Sequence, residues 1–317
     1  MNIAGQALMR LAAPGGRRGL SILVWHRVLP EADPLLPTLP DPDRFEHQLT
    51  ALRACCRVLP LEEAVARLRE GTLPPRAASI TFDDGYRDNA EIALPLLTKH
   101  RLHATFFIAS GFLDGGIMWN DVVIECVRQA RGAALDASAF DLGTLPLTGI
   151  EQRRAALALL LERLKYLPLR ERDEAAGRLA TQTGARLPAN LMLASSQVRE
   201  LHRAGMGIGA HTVDHPILAR LPLEEARRQI AWGRVQLEAL AGPVRLFAYP
   251  NGKPGSDYGP EHVALVRELG FDAAVTTAHG AARDDLFQLP RFTPWDRTPL
   301  RFAARLARNL RTPARLA

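Results

Sequence analysis

Residues 78–86 read ASITFDDGY, and this stretch decides the predicted fold. The apolar, β-branched run 78–82 is typical of a short buried strand, and it stops at Asp83-Asp84-Gly85, where a turn is expected. Downstream, residues 90–97 have the apolar spacing of a helix, and residues 102–109 (LHATFFIA) again have a strand pattern. Strand, helix and strand in this order form a βαβ unit, which predicts a parallel sheet with helices outside it.

The same alternation continues on both sides of this unit. Further strands are predicted at 21–28, 207–210, 245–249, 273–277 and 286–292, and further helices at 45–52, 61–68, 195–204, 223–241 and 261–269. Repeats of this kind predict an α/β fold in which a (β/α) barrel is closed or nearly closed.

The predicted domain organisation is one barrel interrupted by an insertion. Residues 119–189 show helical periodicity and no strand signal, and a connection of this length is rarely plain loop. We therefore predict a barrel from residues 1–118 and 190–300, a helical insertion at 119–189 and a basic C-terminal tail at 301–317. The tail carries five Arg and no acidic residue, with Phe302, Leu306 and Leu310 at helical spacing. It is expected either to make peripheral contact with an anionic membrane or to cap the barrel.

Composition and charge narrow the possible partners. The 317 residues are 47% hydrophobic and 23% charged, as in a globular domain without a disorder signature. The net charge of +6 suggests an anionic neighbour, or else no specific partner. Nucleic acid is not expected, because the Arg residues do not cluster with stacking aromatics. Residues 1–20 lack the apolar run of a signal peptide, so we predict a cytoplasmic location. A position at the inner face of the membrane is compatible with this prediction.

Two loops that follow predicted strands carry metal-binding side chains. Adjacent carboxylates such as Asp83 and Asp84 repel each other, so they are stable together when a cation or an Arg offsets them. One of them can bind a metal while the other faces water or substrate; alone, the turn is more typical of a helix cap. His211 and His215 are four residues apart in HTVDHP and can converge on one ion. Together with a carboxylate they form a ligand set suited to a divalent metal, Zn²⁺ or also Co²⁺ or Ni²⁺.

A third loop follows the strand predicted at 245–249. The segment Tyr249-Pro250-Asn251 leads into Gly252, and such a turn can direct a backbone N–H into a cleft, as an oxyanion hole requires. In isolation this segment is only a tight turn.

The combination of TFDDG, HTxxHP and a YPxG turn resembles the polysaccharide deacetylases with a NodB-homology domain, carbohydrate esterase family 4. The resemblance covers residues 21–118 and 190–292. It implies a distorted (β/α) barrel of the NodB type and metal-dependent hydrolytic deacetylation. By position, it implies that Asp83 is the general base, that Asp84, His211 and His215 hold the metal, and that a backbone N–H near Asn251 stabilises the oxyanion.

The sequence departs from this family pattern in two places. Many members carry an Arg two residues before the Pro of the third motif, where this chain has Ala248, and Arg291 is the candidate replacement. The late Leu-x-x-His motif that supplies the general acid is also absent. In a branch of the family with permuted motifs that His lies on the first strand, which makes His26 the candidate acid. The alternative is a core histidine satisfied by a backbone carbonyl.

The resemblance implies an enzyme that removes N-acetyl groups from a sugar, an oligosaccharide or a lipid-linked glycan in envelope or exopolysaccharide biosynthesis. Two alternatives stay open: a hydrolase of non-carbohydrate C–N (amide) bonds on the same scaffold, and a catalytically silent binding protein. A silent protein has no physical reason to keep the costly Asp83-Asp84 pair, which argues against the second alternative.

Overall fold

The computed structural model describes residues 19–294, 296, 298–312 and 314–317. The strands in this part of the chain are Ser21–Trp25 (β1), Arg57–Val58 (β2), Ala77–Phe82 (β3), Ala104–Ile108 (β4), Ala134–Asp136 (β5), Thr144–Pro146 (β6), Gly207–Ala210 (β7), Leu246–Ala248 (β8), Ala273–Thr276 (β9) and Leu289–Phe292 (β10). The α-helices are Pro42–Cys55 (α1), Leu61–Arg69 (α2), Leu94–Lys99 (α3), Trp119–Gln129 (α4), Ile150–Lys165 (α5), Leu169–Thr183 (α6), Ser195–Arg203 (α7), Leu223–Ala241 (α8), Pro260–Glu268 (α9) and Pro299–Asn309 (α10).

Within the described residues, seven parallel strands close into a barrel. They follow the order β1, β3, β4, β7, β8, β9 and β10, and β10 pairs again with β1. The short strand β2 pairs in parallel with the first two residues of β3. Because all seven strands are parallel, their carboxyl ends meet at one end of the barrel, where the loops predicted to carry chemistry emerge. The predicted (β/α) barrel of the NodB type is confirmed.

Two compact units divide the chain. The barrel unit comprises the described parts of residues 1–31, 40–114 and 192–317, and the second unit comprises Ala32–Leu39 and Gly115–Leu191. The second unit holds α4, α5 and α6 around its own apolar core, to which Leu35 contributes. The segment predicted as an insertion, 119–189, lies inside this unit, and the unit also takes in part of the Pro-rich loop after β1.

The prediction that the insertion contains no strand was wrong. β5 and β6 form an antiparallel pair in which Leu135 lies opposite Leu145. Each strand has three residues and one buried side chain, which is too short for an alternating pattern to stand out from the sequence.

The C-terminal tail belongs to the barrel. Phe302, Leu306 and Leu310, the apolar residues of α10 and the residue that follows it, are buried in the barrel core. The apolar face predicted as a possible membrane contact is therefore covered by protein, as in the capping alternative. No helix in the described ranges has the length and the apolar character that crossing a bilayer requires.

Candidate active site

The predicted metal ligands lie at the carboxyl end of the barrel. Asp83 and Asp84 follow β3, and His211 follows β7, which is separated from β3 by β4. The backbone N–H of Asp83 donates to the carbonyl of Trp25 at 2.9 Å, so the ladder with β1 continues to the first carboxylate. The parallel register therefore brings together side chains that are more than a hundred residues apart in sequence.

Asp84, His211 and His215 converge on one point. One ligand atom from each residue lies within 4.8 Å of the other two. Nε2 of His211 is 3.5 Å and Nε2 of His215 is 3.4 Å from Oδ1 of Asp84. Nδ1 of His211 lies 2.7 Å from the carbonyl oxygen of Ala248 and must donate to it. In the neutral imidazole, Nε2 of His211 then carries a lone pair that faces the carboxylate.

The cluster fits a divalent cation. Oδ1 of Asp84 is buried and has no hydrogen-bond partner, and the two imidazole nitrogens are too distant for a good hydrogen bond to it. Two imidazole nitrogens and this one uncompensated carboxylate oxygen are a donor set suited to Zn²⁺ and similar metals.

The backbone at this cluster is strained. Asp84 has φ +74°, Thr212 has φ +66° and His215 has φ +51°, all in the left-handed region that favours glycine. Such a conformation is a true outlier for a β-branched residue such as Thr212. Strain of this kind persists only where surrounding contacts determine the conformation, and it concentrates at functional sites.

Helix α8 holds the loop that carries the two histidines. The buried side chain of Gln229 accepts hydrogen bonds from the backbone N–H groups of Val213 (3.2 Å) and Asp214 (2.9 Å), and it donates to Oδ2 of Asp214 at 2.7 Å. Gly233 lies so close that an added Cβ would be 2.8 Å from the carbonyl carbon and oxygen of Thr212. Sequence reasoning missed both residues. A Gln in an amphipathic helix carries no local signal, whereas an isolated Gly inside a helix indicates a packing constraint.

Arg291 pairs with Asp83, the carboxylate that lies outside the metal cluster. Its two terminal nitrogens donate to the two carboxylate oxygens of Asp83, each at 2.6 Å, and the side chains are 0% and 4% exposed. Arg291 also reaches Thr81 Oγ1 at 3.2 Å and the carbonyl of Thr276 at 3.3 Å. Arg291 was predicted to replace the Arg that is missing from the third motif. The structure places it against Asp83, the predicted general base, although Asp83 lies 208 positions earlier in the chain.

The surrounding charges keep both carboxylates ionised. Burial alone would raise the pKa of Asp83, but the charges of Arg291 and His211 and the hydrogen bonds from Arg291 lower this pKa below its ordinary value. Burial acts in the same upward direction on Asp84, where His215 and His211 hold the pKa well below its usual range. Asp83 is therefore a deprotonated carboxylate whose two oxygens are fixed by one guanidinium.

His26 follows β1 directly, at the end of the barrel where Asp83 and Asp84 follow β3. Its side chain is partly exposed, whereas the core-histidine alternative requires burial. Its backbone is fixed on both sides. The carbonyl of His26 accepts from the side chain of Asn89 at 2.9 Å, and Asp88 accepts from the N–H of Val28 at 3.1 Å and from Arg27 at 2.8 Å.

The loop after β8 contains Tyr249, Pro250 and Asn251, and at most one of these three residues can donate a backbone N–H to an oxyanion. The N–H of Tyr249 donates to the carbonyl of Val275 at 3.2 Å, and its hydroxyl donates to the carbonyl of Phe287 at 3.0 Å. Pro250 has no N–H. Neither Tyr249 nor Pro250 can therefore donate a backbone N–H to an oxyanion, because the barrel ladder uses the first N–H and proline has none. Other contacts of these two residues with a substrate stay a prediction. The backbone N–H of Asn251, a residue with φ +58°, is the remaining candidate for the oxyanion donor.

Comparison with known proteins identifies the family. The polysaccharide deacetylase model matches residues 70–133 and 173–274, which together are just over half of the chain. The chain belongs to the polysaccharide deacetylase family. Members of this family are hydrolases that act on the C–N bond of N-acetyl groups. No curated protein matches the sequence.

Solved structures share the fold of this polysaccharide deacetylase. The deacetylase PplD of Streptococcus pyogenes, in complex with acetate, is 18% identical with a TM-score of 0.62, and the match covers 92% of this chain and 98% of that one. IcaB from Ammonifex degensii is 21% identical with a TM-score of 0.58, and the match covers 91% and 97%. The deacetylase domain of BpsB from Bordetella bronchiseptica is 16% identical with a TM-score of 0.54, and the match covers 88% and 97%.

Proposed function

We propose that this enzyme is a metal-dependent deacetylase that removes N-acetyl groups from a sugar in envelope or exopolysaccharide biosynthesis. The observation that carries the proposal is the convergence of Asp84, His211 and His215 beside Asp83, which is itself held by Arg291. The names of two structural neighbours, PplD and the BpsB domain, describe deacetylases, which supports the same reaction class. The donor set favours Zn²⁺, with Co²⁺ and Ni²⁺ as substitutes.

Asp84, His211 and His215 would hold the metal. When bound there, a divalent metal polarises a carbonyl and lowers the pKa of water toward about 7. The carbonyl of Ala248 fixes the tautomer of His211, and such outer contacts orient metal-binding imidazoles.

The remaining residues move protons and stabilise charge. Asp83 accepts the proton of the water whose oxygen attacks the acetyl carbon, and Arg291 keeps this carboxylate ionised and oriented. The backbone N–H of Asn251 donates to the oxyanion of the tetrahedral intermediate. As the C–N bond breaks, His26 gives a proton to the departing nitrogen. The products are acetate and the free amino sugar.

The proposed substrate is an N-acetylated oligosaccharide or a lipid-linked glycan, and the proposed place of action is the cytoplasm, at the inner face of the membrane. The outer face of α10 and the residues after it present exposed Arg301, Arg308 and Arg315. Because the apolar face of α10 is buried, contact with anionic headgroups would rest on these charges alone and would weaken with salt.

Mass spectrometry on N-acetylated sugars and oligosaccharides tests the proposal. We expect loss of one acetyl group at a time, abolished by a chelator and restored by Zn²⁺. In the matched variant Asp83→Asn, the metal should stay bound while turnover falls by on the order of 10² or more. A panel of acylated amines and ureides, run in parallel, addresses the alternative amide hydrolase. Turnover of those compounds without any loss of acetyl from sugars would overturn the proposal.

A further inference from the structure

An open groove of about 450 Å³ lies along one side of α8. This volume is within the range of about 300–1,000 Å³ that is usual for small-molecule sites. The groove begins at Val213 and Asp214, which lie between the two histidines of the metal cluster. The other residues that shape it belong to α8 and include Glu225, Arg228, Gln229, Trp232 and Val235.

The floor of the groove is apolar. Trp232 is 58% exposed and Val235 is 49% exposed, although both belong to the long helix that packs on the barrel. An indole ring presented to water beside a functional loop indicates a contact surface, because aromatic rings combine a large apolar face with a polar edge. The C–H face of a pyranose ring is the same kind of surface and packs flat against an indole.

The rim of the groove carries planar polar groups. Asp214, Glu225 and Arg228 offer carboxylate and guanidinium groups, which bind neighbouring hydroxyl groups in pairs. Arg228 forms an ion pair with Glu225 on the same helix, so their charges cancel. The carboxylate of Asp214 then gives the rim a net negative charge. An acidic rim disfavours a pyrophosphate or another anionic group and suits a neutral sugar or a free amino sugar.

We propose that this groove binds a second sugar ring of the same glycan, stacked on Trp232, while the ring that loses its acetyl group lies at the metal cluster. The proposal rests on the proposed function. Its basis is a shared loop: residues 213 and 214 shape the groove, and residues 211 and 215 of the same loop hold the ligand atoms. Occupancy of the groove then makes the enzyme prefer a chain over a single sugar.

Kinetics with substrates of different length test the groove. For an N-acetylhexosamine monomer and its pentamer, the ratio of kcat/KM (pentamer over monomer) should fall about two- to tenfold in Trp232→Ala, through KM and not kcat. Trp232→Phe should restore most of the ratio. Leu223→Ala, which removes an apolar side chain that is 42% exposed on the same helix but outside the groove, should leave the ratio unchanged. An unchanged ratio in Trp232→Ala would overturn the proposal, as would an equal loss on both substrates.

A binding measurement separates failure of the groove from failure of the proposed function. The Asp83→Asn variant is titrated with the N-acetylated pentamer in a calorimeter, with and without Trp232→Ala. Binding that disappears with Trp232→Ala supports the groove even where wild-type enzyme releases no acetate. Binding that persists unchanged in Trp232→Ala overturns the groove and leaves the deacetylase proposal standing. Absence of any pentamer binding overturns the groove whatever the activity.

Discussion

The pair formed by Arg291 and Asp83 gives the most quantitative prediction. Both side chains are buried, and two hydrogen bonds of 2.6 Å join them. Removing one partner of a buried ion pair costs about 3–5 kcal/mol, largely because the remaining charge is left without compensation. Arg291→Met should therefore lower the free energy of unfolding by about 3–5 kcal/mol while Asp83 is present. In an Asp83→Asn background the buried guanidinium of Arg291 is itself uncompensated, so Arg291→Met should cost no more than the loss of the contacts that Arg291 makes with Thr81 and Thr276.

The assay is a double-mutant cycle in urea over the wild-type enzyme, the two single variants and the double variant. Unfolding is followed by circular dichroism and by tryptophan fluorescence, and coincidence of the two curves justifies a two-state free energy. We expect a coupling energy of about 2 kcal/mol or more between the two positions. The reasoning is refuted if Arg291→Met costs the same in both backgrounds.

Two further predictions concern the residues around the cluster. His26→Gln should lower kcat by about 10² or more, with the bound metal unchanged by elemental analysis. His202→Gln, at an exposed site, should leave kcat and bound metal unchanged. A normal rate in His26→Gln would exclude His26 as the acid. Gly233→Ala should destabilise the enzyme by about 1–3 kcal/mol and weaken metal binding, since its Cβ would press on the backbone of Thr212. Gly177→Ala, where an added Cβ meets nothing within 4 Å, should stabilise by about 0.5–1 kcal/mol, and equal effects of the two changes would contradict the role of Gly233.

The barrel could be predicted from the sequence because its signals are local. Buried parallel strands are continuous apolar runs, and the strand before Asp83 ends in a turn motif that marks the functional end of the barrel. The ligand set followed for the same reason, since Asp84 and His211 stand directly after strands. Their convergence required only that β3, β4 and β7 be parallel, with β4 between the other two.

The parts that sequence reasoning missed depend on contacts between distant segments. Nothing local at Tyr249 shows that its N–H bonds to Val275, because that bond depends on the register of two strands. Likewise, the apolar spacing of α10 predicts a buried face but does not say whether protein or lipid covers it. The brace formed by Gln229 has no local signature at all, because it exists only once α8 lies against the histidine loop.

Metal binding by the wild-type enzyme and by His215→Ala tests the central claim most directly. After removal of metal with a chelator, calorimetric titration with Zn²⁺ should show one equivalent bound to the wild-type enzyme. Affinity should weaken by on the order of 100-fold or more in His215→Ala and stay unchanged in His47→Ala, where the exposed histidine lies outside the cluster. The same stoichiometry and affinity in all three proteins would contradict the claim that Asp84, His211 and His215 bind one metal ion.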